Sequence, residues 1–452
     1  MEIDKDLIAS VLLEAEKDAD KRAAAILKGP SLNGLDIYEA ATLLSIKDPL
    51  IIELMLKKAD EVKQRVFGSR VVLFAPLYLS NYCSNGCLYC GFRRGNRASE
   101  RRALSIEEVV EEAGRLCNMG FKRVLLVTGE DKQWGLSHII SCVKAIYGQT
   151  GMRIVHVNAP PMDLESFRAL KGSGVGVYQC FQETYHRPTY EVMHPTGAKK
   201  DFSMRLNAMD VAMEAGFEDV GIGPLFGLYD FRFECVSTIA HSIHLFKKFG
   251  AHAHTLSIPR LRPVPETPLK EIPYPLTDMD LKIAVSVFRL SVPSAGVVAS
   301  TRESAQLRHE LLHAGATQIS AASRTDPGGY SAVSGKSLEQ FSTSDTRPLD
   351  EVMESIAKEG YLPSLCTTCY RVGRTGAQFM ERALSGGMES LCEANAILTL
   401  KEYMEDNRAN GARATLEGAL KNAIDGIKDE PLKKAVLEKI MEIEQGSRDR
   451  HF

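Results

Sequence analysis

Three cysteines set the chemistry of this sequence. Cys83, Cys87 and Cys90 stand in the run Cys83-Ser84-Asn85-Gly86-Cys87-Leu88-Tyr89-Cys90. Three thiolates can hold three irons of a cubane and leave the fourth iron open to an outside ligand. Gly86 and Gly91 let the backbone curl tightly around a bulky cluster. A structural zinc knot is one competing use of such thiols, but structural zinc closes with four ligands, and no obvious fourth stands nearby. Three unrelated buried thiols are the other. A second triad lies downstream, with Cys366 and Cys369 in Cys366-Thr367-Thr368-Cys369 and Cys392 beyond them. A lone C-x-x-C is a redox pair or half a zinc site. A third cysteine without a fourth points again to a cubane with one open corner. Cys117, Cys142, Cys180 and Cys235 are isolated in periodic segments and read as buried filler.

Other polar residues fall just after short apolar runs. Thr128-Gly129-Glu130-Asp131 offers a carboxylate and carbonyls suited to an ammonium. Asn158, Glu183 and Arg205 follow in turn. Gly221-Ile222-Gly223 lacks side chains that would block a flat base; a tight barrel corner is its alternative. Arg302, with a hydroxyl from Ser320 or Ser323, can clamp an amino-acid carboxylate. Tyr78 stands just ahead of the cysteine loop, facing a substrate. His254 opens an apolar run, with His252 as a competitor; a lone histidine there is more often a satisfied core residue.

These residues need elements to position them. Eight apolar runs alternate with helical stretches: 71–79, 123–127, 154–158, 176–181, 219–225, 254–258, 296–300 and 318–322. Ser105 with Glu108 forms a capping box ahead of one helix. Eight strand–helix repeats predict a complete α/β (β/α)8 TIM barrel, with an open doubly wound sheet as the alternative. Chemistry in such barrels gathers at the carboxyl ends of the strands. Residues 1–70 read as a helical N-terminal extension plugging the barrel, with faces at Ile8, Leu12, Leu13 and at Leu43, Leu44, Ile52, Leu54, interrupted at Gly29-Pro30 and Asn33-Gly34. Residues 71–348 read as the barrel, closed by a Gly/Ser/Thr-rich loop from Asp326 to Pro348. Residues 349–452 read as a helical C-terminal domain that binds the second cluster. His254 opens its strand and so belongs at the amino-terminal mouth. A strand of about seven residues spans roughly 23 Å, which places the two cysteine sites at opposite mouths.

The formal net charge is −3, so the overall balance does not favour nucleic acid. No apolar stretch approaches the ~18 residues of a bilayer span, and Met1-Glu2-Ile3-Asp4-Lys5 does not read as a signal peptide. Ten cysteines without such a signal argue for a reducing compartment, where clustered thiols mean metal. A cytoplasmic protein is expected, without membrane.

The first cysteine motif followed by Gly129-Glu130 resembles the radical S-adenosylmethionine (SAM) enzymes. That resemblance implies a [4Fe-4S] cluster whose open iron takes the amino and carboxylate groups of SAM, which is cleaved reductively to a 5'-deoxyadenosyl radical. It implies that Gly129 and Glu130 hold the SAM amino group, that Arg205 pairs with its carboxylate, and that Asn158, Glu183 and Gly221 line the same subsite. The stretches QETYHRPTYEVMHP (182–195), HTLSIPRLRP (254–263), CTTCYRVGRTG (366–376) and CEANAILTL (392–400) resemble the HydG family. Its members are tyrosine lyases of [FeFe]-hydrogenase assembly. The resemblance implies L-tyrosine as substrate, p-cresol as one product, and CO and cyanide from the remaining dehydroglycine. It further implies an auxiliary [4Fe-4S] cluster on Cys366, Cys369 and Cys392, with a fifth iron held by His254 and a free L-cysteine. An electron donor such as ferredoxin or flavodoxin and a hydrogenase maturation scaffold protein are the implied partners. Lys132-Gln133-Trp134-Gly135 and Ala159-Pro160-Pro161 depart from the family pattern. A tyrosine lyase of thiamin biosynthesis is the nearest alternative; an iron–sulfur scaffold or carrier without radical chemistry is the alternative of another class.

Overall fold

The computed structural model describes residues 1–452 except 2, 30–31, 263, 265, 332–338 and 408–410. Pro30 of the expected break, Pro263 of one family-like stretch and the middle of the Asp326 to Pro348 loop therefore lie outside the described residues. Eight parallel strands alternate with helices: β1 (Arg70–Ser80), β2 (Arg123–Thr128), β3 (Ile154–Asn158), β4 (Tyr178–Gln179), β5 (Val220–Ile222), β6 (Thr255–Ser257), β7 (Gly296–Ala299) and β8 (Gln318–Ser320). They run in order from β2 to β8 and then β1, and β1 also pairs with β2, which closes the barrel. Their residues are buried on both faces, which is why the strands read as continuous apolar runs rather than alternating ones.

Strands β4 to β6 are shorter than the runs that announced them. The flanking residues still pair singly, as when Gly176 N donates to Val155 O at 2.9 Å and Cys180 N to Gly221 O at 3.2 Å. They then bend away to build the two mouths. A ninth strand, β9 (Leu362–Ser364), lies parallel to the start of β1, with Arg70 opposite Leu362 and Val72 opposite Ser364. Three residues around a proline give no strand signal, and a proline is tolerated at such an edge.

The capping box forms as the spacing implied. Glu108 N donates to Ser105 Oγ at 3.2 Å, and Ser105 N to Glu108 Oε2 at 2.8 Å. Four helices precede β1, ending with Pro49–Phe67. Three of them pack laterally on the outer helices Phe231–Phe249 and Asp278–Ser291, and the helix Ala19–Ile26 packs on its neighbours within the extension, so the extension clasps the flank of the barrel instead of plugging it. Its first helix buries Ile8, Val11 and Leu12 but leaves Leu13 68% exposed, because the face is set by position 11 rather than 13. After residue 348 the chain is mostly helical, and the helix Glu389–Asp406 packs on both β9 and β1.

Candidate active site

The first cysteine loop leaves the carboxyl end of β1, where the register slips between Tyr78 and Ser80. The loop is stitched to the segment after β2. Ser84 N donates to Glu130 O at 2.9 Å, and Gly129 N donates to Ser80 O at 2.9 Å. Gly129 is required by closeness: a Cβ there would stand 2.2 Å from Tyr82 O. Cys83, Cys87 and Cys90 all line one cavity of about 1440 Å³, its open mouth included. Burial pushes the Cys87 thiol up to about 12 and the Cys90 thiol up to about 11, so a thiolate here calls for a cationic partner. Asn85 Nδ2 stands 3.7 Å from Cys83 Sγ.

One wall of the cavity is a chain of ion pairs. Glu130 accepts from Arg205, which comes from the helix Phe202–Leu206, and from Asn85 Nδ2 at 2.7 Å. Arg205 also donates to Cys180 Sγ at 2.8 Å. It is buried, and Cys180 is its polar neighbour rather than inert filler. Cys117 is only half-buried, whereas Cys142 and Cys235 are buried as expected. Glu183, held at φ 69°, accepts from Lys199 Nζ at 2.6 Å. Burial alone would raise the Glu183 carboxyl, but Lys199 and then Arg205 hold it below the usual carboxylate range. Asn158 ends β3 and lines the same cavity.

The opposite wall carries Arg302, Ser320, Ser323 and Tyr78. The Arg302 guanidinium lies 3.4 Å from the centre of the Phe341 ring. Tyr78 donates its hydroxyl to Gln340 Oε1 at 2.8 Å. Ser320 Oγ accepts from Thr301 N at 3.3 Å. Ser323 Oγ is buried without a partner among the described residues, and such a group asks for a ligand or water. Gly221 is a correction: it does not line this cavity. A Cβ at Gly221 would meet Thr255 Oγ1 at 2.5 Å and Gln179 Cγ at 2.7 Å, so its bareness serves strand packing. Of the two departures from the family pattern, Trp134 packs edge-on to His138, and Ala159 and Pro160 offer their carbonyls to the Tyr178 hydroxyl. Lys199, Asn85, Gln340 and Phe341 complete the cavity without having been singled out by sequence.

The second triad occupies the other mouth. Arg123, at the start of β2, donates to Cys366 O at 2.7 Å. The guanidinium of Arg70, at the start of β1, lies within the electrostatic reach of Cys392, Cys366 and Cys369. His254 precedes β6, with Nε2 2.8 Å from the Tyr370 hydroxyl next to Cys369. His252 turns away, with Nδ1 3.1 Å from Ser242 Oγ and O. Among the described residues, no three His, Cys, Asp or Glu side chains gather around a single ion. A cubane bound by three thiolates puts each on a different iron, so it asks for a looser triad of the kind seen at both mouths. The buried or half-buried cysteines, their amide and guanidinium neighbours and the lack of a fourth ligand among the described residues fit such a group at each site.

Comparison with known proteins decides the family. Residues 77–240 match the Radical SAM superfamily, and residues 257–362 match the Biotin and Thiamin Synthesis associated domain. The crystal structure of HydG, a maturase of the [FeFe]-hydrogenase, superposes with a TM-score of 0.96 at 41% identity, covering 99% of both chains. The chain belongs to the HydG family of radical SAM enzymes. HydG from Carboxydothermus hydrogenoformans superposes with a TM-score of 0.86 at 35% identity, over 96% of this chain and 97% of that one. The 2-iminoacetate synthase of Salmonella typhimurium is 32% identical over 345 residues, 76% of this chain and 90% of that protein. The HydG likeness thus takes in the C-terminal helices as well as the barrel. No helix among the described residues is long and apolar enough to cross a membrane.

Proposed function

We propose that this chain is a tyrosine lyase that cleaves the Cα–Cβ bond of L-tyrosine to p-cresol and dehydroglycine and converts the latter to CO and cyanide for an iron synthon of [FeFe]-hydrogenase assembly. The observation that carries this reading is the division of the barrel. One mouth gathers a cysteine triad with an amino-acid-sized set of charges, and the other gathers a second triad with a histidine.

When bound, the first cluster and SAM supply a 5'-deoxyadenosyl radical. Cys83, Cys87 and Cys90 hold the cluster, and the Asn85 amide faces Cys83 Sγ. Glu130, its oxygens fixed by Arg205 and Asn85, presents a preoriented carboxylate to the SAM ammonium. Arg205 holds the SAM carboxylate from the same side. Across the cavity, Arg302 takes the tyrosine carboxylate, and the Ser323 hydroxyl, without a partner among the described residues, donates to it. Tyr78, anchored on Gln340, lines the substrate's path. Cys366, Cys369 and Cys392 would hold the auxiliary cluster, and His254 with a free L-cysteine would hold a labile fifth iron that supplies exchangeable positions for CO and cyanide. Ferredoxin or flavodoxin as electron donor, a maturation scaffold as recipient and a cytoplasmic location complete this reading.

The test is the product mixture from tyrosine, SAM and dithionite under anaerobic conditions. We expect p-cresol with CO and cyanide. p-Cresol with glyoxylate alone would mark the thiamin-type lyase, and the absence of 5'-deoxyadenosine would mark a carrier without radical chemistry.

A further inference from the structure

Asp219 stands at the amino-terminal end of β5, one residue before the strand, and His254 stands one residue before β6. The two strands are neighbours, with Gly221 opposite Thr255. The two side chains meet beside Tyr370 and Gly376, at the mouth that holds the second cysteine triad. Asp219 Oδ1 lies 3.2 Å from His254 Nδ1, and the Asp219 side chain is 3% exposed. The same oxygen accepts from Gly376 N at 3.0 Å, where the helix Gly376–Leu384 begins. Asp219 Oδ2 is buried with no partner among the described residues. A carboxylate oxygen at this distance repels a ring lone pair and attracts an N–H, so its charge favours the proton on Nδ1. The lone pair is then on Nε2, which faces Tyr370 beside Cys369 and accepts from its hydroxyl at 2.8 Å.

We infer that Asp219 is a positioning residue for His254: it fixes the Nδ1–H tautomer and the ring plane, and so aims the Nε2 lone pair at the cysteine side of the mouth. The Tyr370 hydroxyl lies on that lone pair, at the position an iron held by Nε2 would take. The inference rests on the reading of His254 as an iron ligand. Its physical basis is general. An imidazole ligand whose other nitrogen donates to a carboxylate is held in the right tautomer and made more basic, and losing that partner costs about 10–100-fold in metal affinity. Because Asp219 also ties β5 to the first turn of the helix Gly376–Leu384, it sets the imidazole and the chain beyond the C-x-x-C pair in one frame.

The experiment compares Asp219→Ala, Asp219→Asn, Tyr370→Phe and His254→Ala in the full chain. The first readout needs no metal. In 15N-histidine-labelled protein, the His254 resonances should report an Nδ1–H tautomer that is lost in Asp219→Ala and retained in Asp219→Asn, whose amide oxygen still accepts. The second readout is ferrous iron titrated into anaerobically reconstituted protein. Asp219→Ala should bind the fifth iron about 10–100-fold more weakly, with cluster sulfide and p-cresol formation unchanged. Tyr370→Phe should bind it no more weakly than wild type. An Asp219→Ala protein with a wild-type tautomer and wild-type iron binding, alongside a His254→Ala protein that loses the iron, overturns the role of Asp219 alone. A His254→Ala protein that keeps the iron overturns the reading of the site, and this inference with it. Should Asp219→Ala fail to fold, Asp219→Asn against Tyr370→Phe carries the comparison: an Asn variant without the Nδ1–H tautomer overturns the proposal.

Discussion

The Arg302 guanidinium lies 3.4 Å from the centre of the Phe341 ring, which faces it from the segment after β8. A cation over an aromatic face is held in place without using up its donors; Arg302 lines the cavity, and among the described residues its guanidinium makes one hydrogen bond, a 3.4 Å contact to Arg260 O. Arg302 is thus poised to receive a carboxylate. Arg302→Ala should weaken apparent tyrosine affinity by the value of a charge-assisted pair, about 1.5–3 kcal/mol. Phe341→Ala should weaken it less, by about 0.5–2 kcal/mol. The measurement is the KM for tyrosine in p-cresol formation, and an unchanged KM in Arg302→Ala would remove the clamp.

The cysteine loop permits a sharper test. Each of Cys83, Cys87 and Cys90 reaches the cavity, and no spare cysteine stands beside them to substitute. Changing any one to alanine should abolish 5'-deoxyadenosine formation. Cys87→Ala is the informative choice because its thiol is deeply buried, so loss of the cluster can be read from the iron and sulfide content of the folded protein. Full deoxyadenosine formation in Cys87→Ala would sink the assignment.

Glu130 and Arg205 form a largely buried ion pair, and removing Glu130 leaves the buried Arg205 charge without its direct partner. Breaking such a pair costs roughly 3–5 kcal/mol. Glu130→Gln should therefore lower the melting temperature of the protein even without SAM, and should weaken SAM binding as well. Equilibrium binding of SAM to the reconstituted variant, beside its melting curve, checks both effects. A variant that melts and binds like wild type would show that the pair is ornamental.

The parts of this site that were legible in the sequence share one property: their chemistry is local. The cysteine spacing, the Gly129-Glu130 turn and the capping box at Ser105 are each fixed within a few residues. Eight apolar runs sufficed for the barrel, because strands buried on both faces advertise themselves. Gln340 meets Tyr78 across 262 positions, and nothing near either residue announces the other. Gly221 was misjudged for a related reason: sequence shows that a strand glycine is bare, but not which neighbours fill the space. Lys199 was missed because its role depends on Glu183, held in a left-handed conformation that an ordinary Gln-Glu-Thr sequence does not reveal.

Glu234 offers a pH test away from the chemistry. Its carboxyl is fully buried, with Thr184 Oγ1 on one oxygen and Tyr185 N at 2.9 Å from the other. Burial pushes it up from 4.5 to about 8. The native state therefore keeps a proton that the unfolded chain has lost, and its stabilisation is full below about 4.5 and disappears as pH rises to about 8. The slope for one such group is about −1.4 kcal/mol per pH unit within that window. Glu234→Gln removes the slope, so the melting temperature of the variant relative to wild type should climb between pH 5 and pH 8 and level off above. A difference independent of pH would mean that Glu234 is ionised in the native protein.

The last prediction separates the two ends of the barrel. The first triad stands after β1 and the second stands beside the starts of β1, β2 and β6, so each site draws its residues from a different mouth. Scission of the Cα–Cβ bond needs SAM, the first cluster and the Arg302 clamp. Capture of CO and cyanide needs an iron with exchangeable positions, for which an imidazole is a suitable ligand. If the ends work independently, His254→Ala should still yield p-cresol from tyrosine at close to the normal rate but lose the infrared bands of iron carbonyl. Replacing Cys366, Cys369 and Cys392 together by serine should behave the same way or more severely, since these residues would hold the cluster to which the iron attaches. The p-cresol yield guards against misfolding, because a chain that still cleaves tyrosine has an intact barrel. A His254→Ala enzyme that forms the iron carbonyl at normal rate and amount would return His254 to the role of a core histidine, satisfied by Asp219 on one side and Tyr370 on the other.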